Sequence, residues 1–124
     1  MNSETLYERL LIFGQRCQKL VIILPKTVYN FEYGGQLIRS SSSPGSNYIE
    51  AIEATSSKDF AYRLKVCRKE TKESMHWLIL IKSANETIEA IKKEADELIK
   101  EVDELIRIFT SSILTSERNQ KIIK

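Results

Sequence analysis

The sequence predicts an all-α protein built as an antiparallel helix bundle, and three apolar stripes carry that prediction. Phe60, Leu64, Cys67, Thr71, Ser74, Leu78 and Ile81 follow one another at alternating steps of four and three residues. Such steps return a side chain to one side of an α-helix about every 3.5 residues, which marks a single inward seam. The same rhythm recurs as Ile88, Ile91, Ala95, Leu98, Val102, Leu105 and Phe109 near the C-terminus. Near the N-terminus it recurs as Leu6, Leu10, Phe13, Cys17, Leu20 and Leu24. A helix with one apolar stripe must bury it against another element. A chain of 124 residues is one domain that can bury a core without disulfide or metal staples.

The first predicted helix, residues 4–24, opens after Ser3, whose hydroxyl can accept from a first-turn N–H. It stops before Pro25, which disfavours a helical residue ahead of it. Lys26 and Thr27 form a short turn. In the second, residues 29–54, an inward seam reads Phe31, Gly35, Ile38, Ser42, Gly45, Ile49 and Ile52, with small residues where a core ordinarily uses Leu. Gly34-Gly35 and the run from Ser40 to Ser46 read locally as linker. Pro44 inside a helix costs ~3 kcal/mol, so local rules alone break the helix there.

The third predicted helix, residues 58–82, is opened by Ser56 with Asp59 three residues on, close to a capping box. Ser83-Ala84-Asn85 is a tight connection, with Ser83 or Asn85 as cap of the fourth helix, residues 86–116. Glu89–Lys93, Asp96–Lys100 and Asp103–Arg107 on its outer face are each worth a few tenths of a kcal/mol. The bundle spans residues 1–117, and 118–124 form a basic, polar tail prone to fray. If the second helix is continuous, short turns force sequence neighbours to pack antiparallel, giving an up-down-up-down four-helix bundle.

A 42% hydrophobic and 29% charged composition suits a soluble domain, and a net charge of +2 is too small to select a partner. Its distribution says more. Residues 55–82 carry seven Lys/Arg against three acids, whereas residues 83–124 carry seven against nine. Cys17 and Cys67 fall on predicted seams without CxxC or Cys/His spacing, as small core residues kept reduced in a cytoplasm would. Charges at Glu4, Glu8, Arg9, Arg16 and Lys19 interrupt the N-terminal apolar residues, which argues against a signal peptide or membrane span and for a cytoplasmic protein. His76 is the only histidine, no G-x-S-x-G motif surrounds any serine, and no phosphate-loop pattern surrounds Gly34-Gly35. No catalytic residue, cofactor or metal ligand is expected, and the chain reads as a non-enzyme.

The segment from Gln36 through Arg39, Ser43, Ser46, Asn47 and Glu50 to Ala51, then Ser57-Lys58-Asp59-Phe60, then Glu70 through Glu73 and Ser74 to Trp77-Leu78, resembles the small bacterial four helix bundle proteins. These are also called 23S ribosomal RNA intervening-sequence proteins. The resemblance covers almost the whole chain through Glu104 to Phe109, and is most specific in the second and third helices. It implies that the second helix continues through the serine run with a kink. Pro44-Gly45 departs from the family's usual apolar residue followed by proline or glycine, which moves the kink. The family is also similar to accessory proteins of diversity-generating retroelements, five-fold barrels that associate with a reverse transcriptase and nucleic acid. The resemblance therefore implies a homo-oligomer, a pentamer, with RNA or DNA as partner.

Two sets of residues are candidate sites. Arg39, Ser43, Ser46, Asn47 and Glu50 share one face of the second helix, and Arg63, Glu70, Glu73 and Trp77 lie beside the seam of the third. Their meeting would form a partly buried polar network or subunit contact, with Arg39 near a carboxylate and Glu50 near Arg63. Lys58, Lys65, Arg68, Lys69 and Lys72 lie opposite the third seam, where they can neutralise phosphates, and Tyr62 can stack on a base. The bland alternative is a solvated face. Trp77, Val66, Leu80, Ile99 and Ile106 widen the apolar stripes beyond what one bundle needs, which points to self-association. The leading expectation is an oligomeric, nucleic-acid-associating accessory module. The alternative is a protein-interaction scaffold.

Overall fold

A computed structural model describes the backbone of residues 2–123 and the side chains of residues 2–120. It consists of α1 (Ser3–Ile22), α2 (Val28–Ile52), α3 (Ser57–Ala84) and α4 (Glu89–Ile123), with no strand among the described residues. The first three helices begin where a side-chain oxygen takes up a free N–H. Asn2 Oδ1 accepts from Thr5 N at 2.8 Å, Thr27 Oγ1 from Asn30 N at 3.1 Å, and Ser56 Oγ from Asp59 N at 3.1 Å. The first cap is thus Asn2, not Ser3, which already lies inside the helix. α4 starts three residues later than expected and continues to Ile123, into the segment read as a tail, whose last residue, 124, lies outside the described residues.

The seam of α1 is buried as predicted, from Leu6 to Leu24. That of α3 holds from Leu64 to Ile81, with Ala61 taking the innermost place at its start and Phe60 only half-buried. In α4 the seam runs from Ile91 through Phe109 and extends to Ile113 and Ser116, while Ile88 precedes the helix.

α2 corrects the expectation. Its buried residues are Asn30, Gly34, Leu37, Ser40, Ser41, Pro44, Tyr48 and Ala51. Phe31, Ile38, Ile49 and Ile52, assigned to the interior, point outward, as does Ser42. The reason is steric. At Gly14 a Cβ would stand 3.2 Å from the Ser41 carbonyl oxygen, and at Gly34 one would stand 2.9 Å from Val21 Cγ1. α1 and α2 approach too closely for branched side chains between them. The serines tolerate burial because their hydroxyls find acceptors. Ser40 Oγ donates to the Leu37 carbonyl and Ser41 Oγ to that of Ile38, both at 3.4 Å. Across the helix pair, Ser74 Oγ donates to Ser40 Oγ at 2.9 Å, and within α3 Thr71 Oγ1 donates to the Cys67 carbonyl at 2.7 Å. The helix runs unbroken through Pro44, whose ring is buried and whose carbonyl accepts from Cys67 Sγ at 3.5 Å.

Among the described residues α1 packs on α2, α2 on α3, α3 on α4 and α4 on α1, with no close backbone approach across either diagonal. Asn30, Ser40 and Asn47 meet Asn85, Ser74 and Arg63. Lys65, Arg68 and Lys82 meet Glu117, Thr110 and Asp96. Arg9 forks onto Glu101 (2.6 and 3.2 Å) and reaches Glu104, and one heptad on Arg16 does the same with Glu94 and Glu97. Of the pairs expected along α4, Asp103–Arg107 forms at 3.1 Å, while Asp96 turns to Lys82 at 2.6 Å. Glu89–Lys93 makes no ion pair among the described residues.

Ser83 and Asn85, the two expected caps of α4, both belong to α3, Ser83 inside the helix and Asn85 at its end. Asn85 Nδ2 donates to Asn30 Oδ1 at 2.9 Å and to the Ile81 carbonyl at 2.7 Å. Asn30 Nδ2 donates back to Asn85 Oδ1 at 3.0 Å and to the Pro25 carbonyl at 3.0 Å. Both amides are buried, so this exchange clamps the α1–α2 turn to the α3–α4 turn. Asn85→Ala should cost roughly 1–3 kcal/mol in denaturant unfolding, because the Asn30 amide loses buried partners. Adding Asn30→Ala should cost less than the sum of the single changes, and strict additivity would remove the clamp from the account.

Candidate functional site

The outer face of α3 arises because its inward seam is apolar or hydroxylic and leaves the cations on the far side. Lys58, Tyr62, Lys65, Lys69 and Lys72 are exposed, while Arg68 is half-buried and donates from Nη1 to Thr110 Oγ1 at 3.2 Å. Lys65 pairs with Glu117 at 2.9 Å, so part of the predicted positive charge is already answered from α4. Lys58, Lys69 and Lys72 make no salt bridge among the described residues. A shallow depression of about 630 Å³ runs along this face between the cations and His76, with Glu73 and Trp77 also on its wall. His76 meets the Trp77 ring edge-on at 4.7 Å, and Trp77 lies against Tyr33 of α2 at 6.2 Å. Tyr62 carries the Arg63 guanidinium 5.8 Å from its ring centre.

The polar stripe of α2 meets α3 in part. Asn47 accepts from Arg63 Nη1 at 3.5 Å and donates to Ser43 Oγ and the Ser43 carbonyl at 2.9 and 3.1 Å. Ser46 Oγ also donates to the Ser43 carbonyl, at 3.0 Å. Burial raises the Glu70 pKa, and the Arg39 charge only partly opposes that rise, without a salt bridge. Glu50 is exposed and forms no pair with Arg63, whose guanidinium is taken by Asn47 and Tyr62. Ser43, Ser46, Asn47 and Arg63 bond among themselves, and no metal-holding group of His, Cys, Asp or Glu occurs among the described residues. Cys17 and Cys67 are buried, and burial pushes both thiols up to about 12.

A second surface, absent from the expected site residues, lies between α1 and α2. Val28 and Phe31 are 82% and 81% exposed, and Ile22 is 72% exposed. These residues border a groove of about 830 Å³ that reaches Ile38. Ile38 also lines a second groove of about 360 Å³, with Tyr7, Leu11, Gly14, Gly45 and Ile49. The surplus apolar surface had been expected at Trp77, Val66, Leu80, Ile99 and Ile106. All five are half-buried, and Trp77, Ile99 and Ile106 pack on the core. The sequence signal for the true location was the Phe31, Ile38, Ile49 and Ile52 stripe, read on the wrong side of the helix.

Residues 5–111 match the family model described as 23S rRNA-intervening sequence protein. The chain belongs to that family. A solved structure described as a protein with unknown function from the S23 ribosomal protein family of Bacteroides thetaiotaomicron is similar, with a TM-score of 0.73 and 25% identity. The similarity covers 87% of this chain and 97% of that one. No curated protein matches. In this intervening-sequence family member, no described helix is long and apolar enough to cross a membrane.

Glu70 supplies a pH handle on the α2–α3 contact. Burial raises its pKa above 4.5, Glu73 adds to the rise, and Lys69 and Arg39 oppose it. The folded state therefore binds this proton more tightly than the unfolded chain does. Stability falls as pH climbs from about 4.5 through the raised folded value. Glu70→Gln should match the wild type at acid pH and gain on it toward neutrality in urea unfolding. An equal difference at both pH values would place the cause elsewhere.

Proposed function

We propose that this protein is a cytoplasmic, non-enzymatic bundle that self-associates through its α1–α2 face and offers the outer face of α3 to nucleic acid. The helices are read as up-down-up-down, with α2 bent at Pro44, where the missing N–H leaves a gap in the helical ladder. The observation that carries the proposal is the separation of the two faces. The apolar α1–α2 grooves and the basic α3 depression share no residue, and α3 stands diagonally across the bundle from α1. Burying the apolar face against other copies leaves the cations outside and repeats them around the assembly, a pentamer by family resemblance. Several copies of a weak phosphate-binding face bind together far better than one.

The exposed apolar grooves also favour a second reading, a scaffold for another protein with no nucleic-acid role. Two measurements separate the readings. Val28→Asp with Phe31→Asp should lower the mass in light scattering toward the 14.3 kDa of one chain, with helicity kept. An unchanged mass would remove this face from the assembly. For the wild type, RNA affinity should fall steeply with salt, and Lys69→Ala with Lys72→Ala should make the log–log slope shallower by about one to two. Absence of RNA binding at low salt would leave the scaffold reading.

A further inference from the structure

We infer that the outer face of α3 takes single-stranded RNA, with unpaired bases on Tyr62 and His76 and phosphates on Lys69 and Lys72 between them; this rests on the nucleic-acid reading above. Tyr62, Lys65, Lys69, Lys72 and His76 succeed one another at steps of three and four and are all exposed, forming one stripe. Rings stand at its two ends and ammonium groups in its middle. Fourteen residues of helix separate the rings by about 21 Å, a span on the order of four to six nucleotides of one strand.

Both rings are braced from behind. Tyr62 is 60% exposed, with the Arg63 guanidinium 5.8 Å from its ring centre. The exposed His76 ring rests on Trp77, itself anchored on Tyr33. A braced ring loses little freedom when a base stacks on it. A duplex cannot use such rings, because its bases are already stacked and paired, and it would engage the lysines alone. Those lysines are few, since Lys65 is matched by Glu117. Phosphate contact alone is therefore weak here, and base stacking supplies what a duplex would lack.

Glu73 selects the sugar. It is a carboxylate on the wall of a cationic depression, with Glu70 a second negative group nearby. It repels phosphate and can only accept hydrogen bonds. A ribose 2′-hydroxyl is a donor that DNA does not have.

The test uses the full chain, a fluorescent RNA dodecamer without self-complementarity, the same strand annealed to its complement, and the DNA of identical sequence. Single-stranded RNA should bind roughly fivefold or more tightly than the duplex, the gain expected from stacking even one base. Tyr62→Ala with His76→Ala, both exposed, should remove that preference while circular dichroism stays unchanged. Glu73→Ala, which removes the acceptor, should bring DNA and RNA together. Equal affinity for single strand and duplex, or a preference that survives the double variant, overturns this inference and leaves the nucleic-acid reading standing. Equal wild-type affinity for RNA and DNA overturns the assignment to RNA. No binding by any of the three probes overturns both.

Discussion

The close approach of α2 to its neighbours is the constraint on which the rest of the molecule depends. Between Gly14 of α1 and Ser74 of α3, the middle of α2 presents only Ser40, Ser41 and Pro44 to the interior. Small side chains let the backbones come together, and the hydroxyls avoid the cost of burial by bonding to carbonyls and to one another. Because this inner strip is filled by small residues, the isoleucines of α2 have nowhere to go but outward. Close packing inside and an apolar outer stripe are therefore two results of one arrangement.

That inversion explains what was legible in the sequence and what was not. The seams of α1, α3 and α4 are apolar at helical spacing, and their rhythm places them inside almost residue for residue. In α2 the same rhythm can be written twice, once through Phe31, Ile38 and Ile49 and once through Asn30, Gly34, Leu37, Ser41, Pro44, Tyr48 and Ala51. Hydrophobicity favours the first seam, whereas backbone proximity favours the second. Proximity depends on where α1 and α3 lie, which no window of α2 contains. The Asn30–Asn85 exchange was hidden for a related reason, since its partners are 55 residues apart and each alone looks like a turn residue. The α1–α4 ion pairs were within reach. Arg9 and Arg16, like Glu94 and Glu101, are one heptad apart and flank predicted seams.

The candidate site was read in outline and corrected in detail. The cations of α3 are on its outer face as spacing requires, but Lys65 and Arg68 are engaged by Glu117 and Thr110 of α4. Charge counting along one helix cannot see a neighbour's carboxylate. The same limit applies to Arg63, which was given to Glu50 by periodicity and is held by Asn47, one turn closer to the proline. Side-chain partners follow the depth of packing, and helix periodicity reports only direction.

Cys17 and Cys67 flank the proline segment of α2 from α1 and α3, Cys17 beside Ser41 and Cys67 in hydrogen-bonding contact with the Pro44 carbonyl. Neither sulfur reaches solvent while the three helices stay together. The pair thus works as a built-in clock for that junction: a trapping reagent marks Cys17 only when α1 lifts away and Cys67 only when α3 does, so the two marking rates would time the parting of each helix separately.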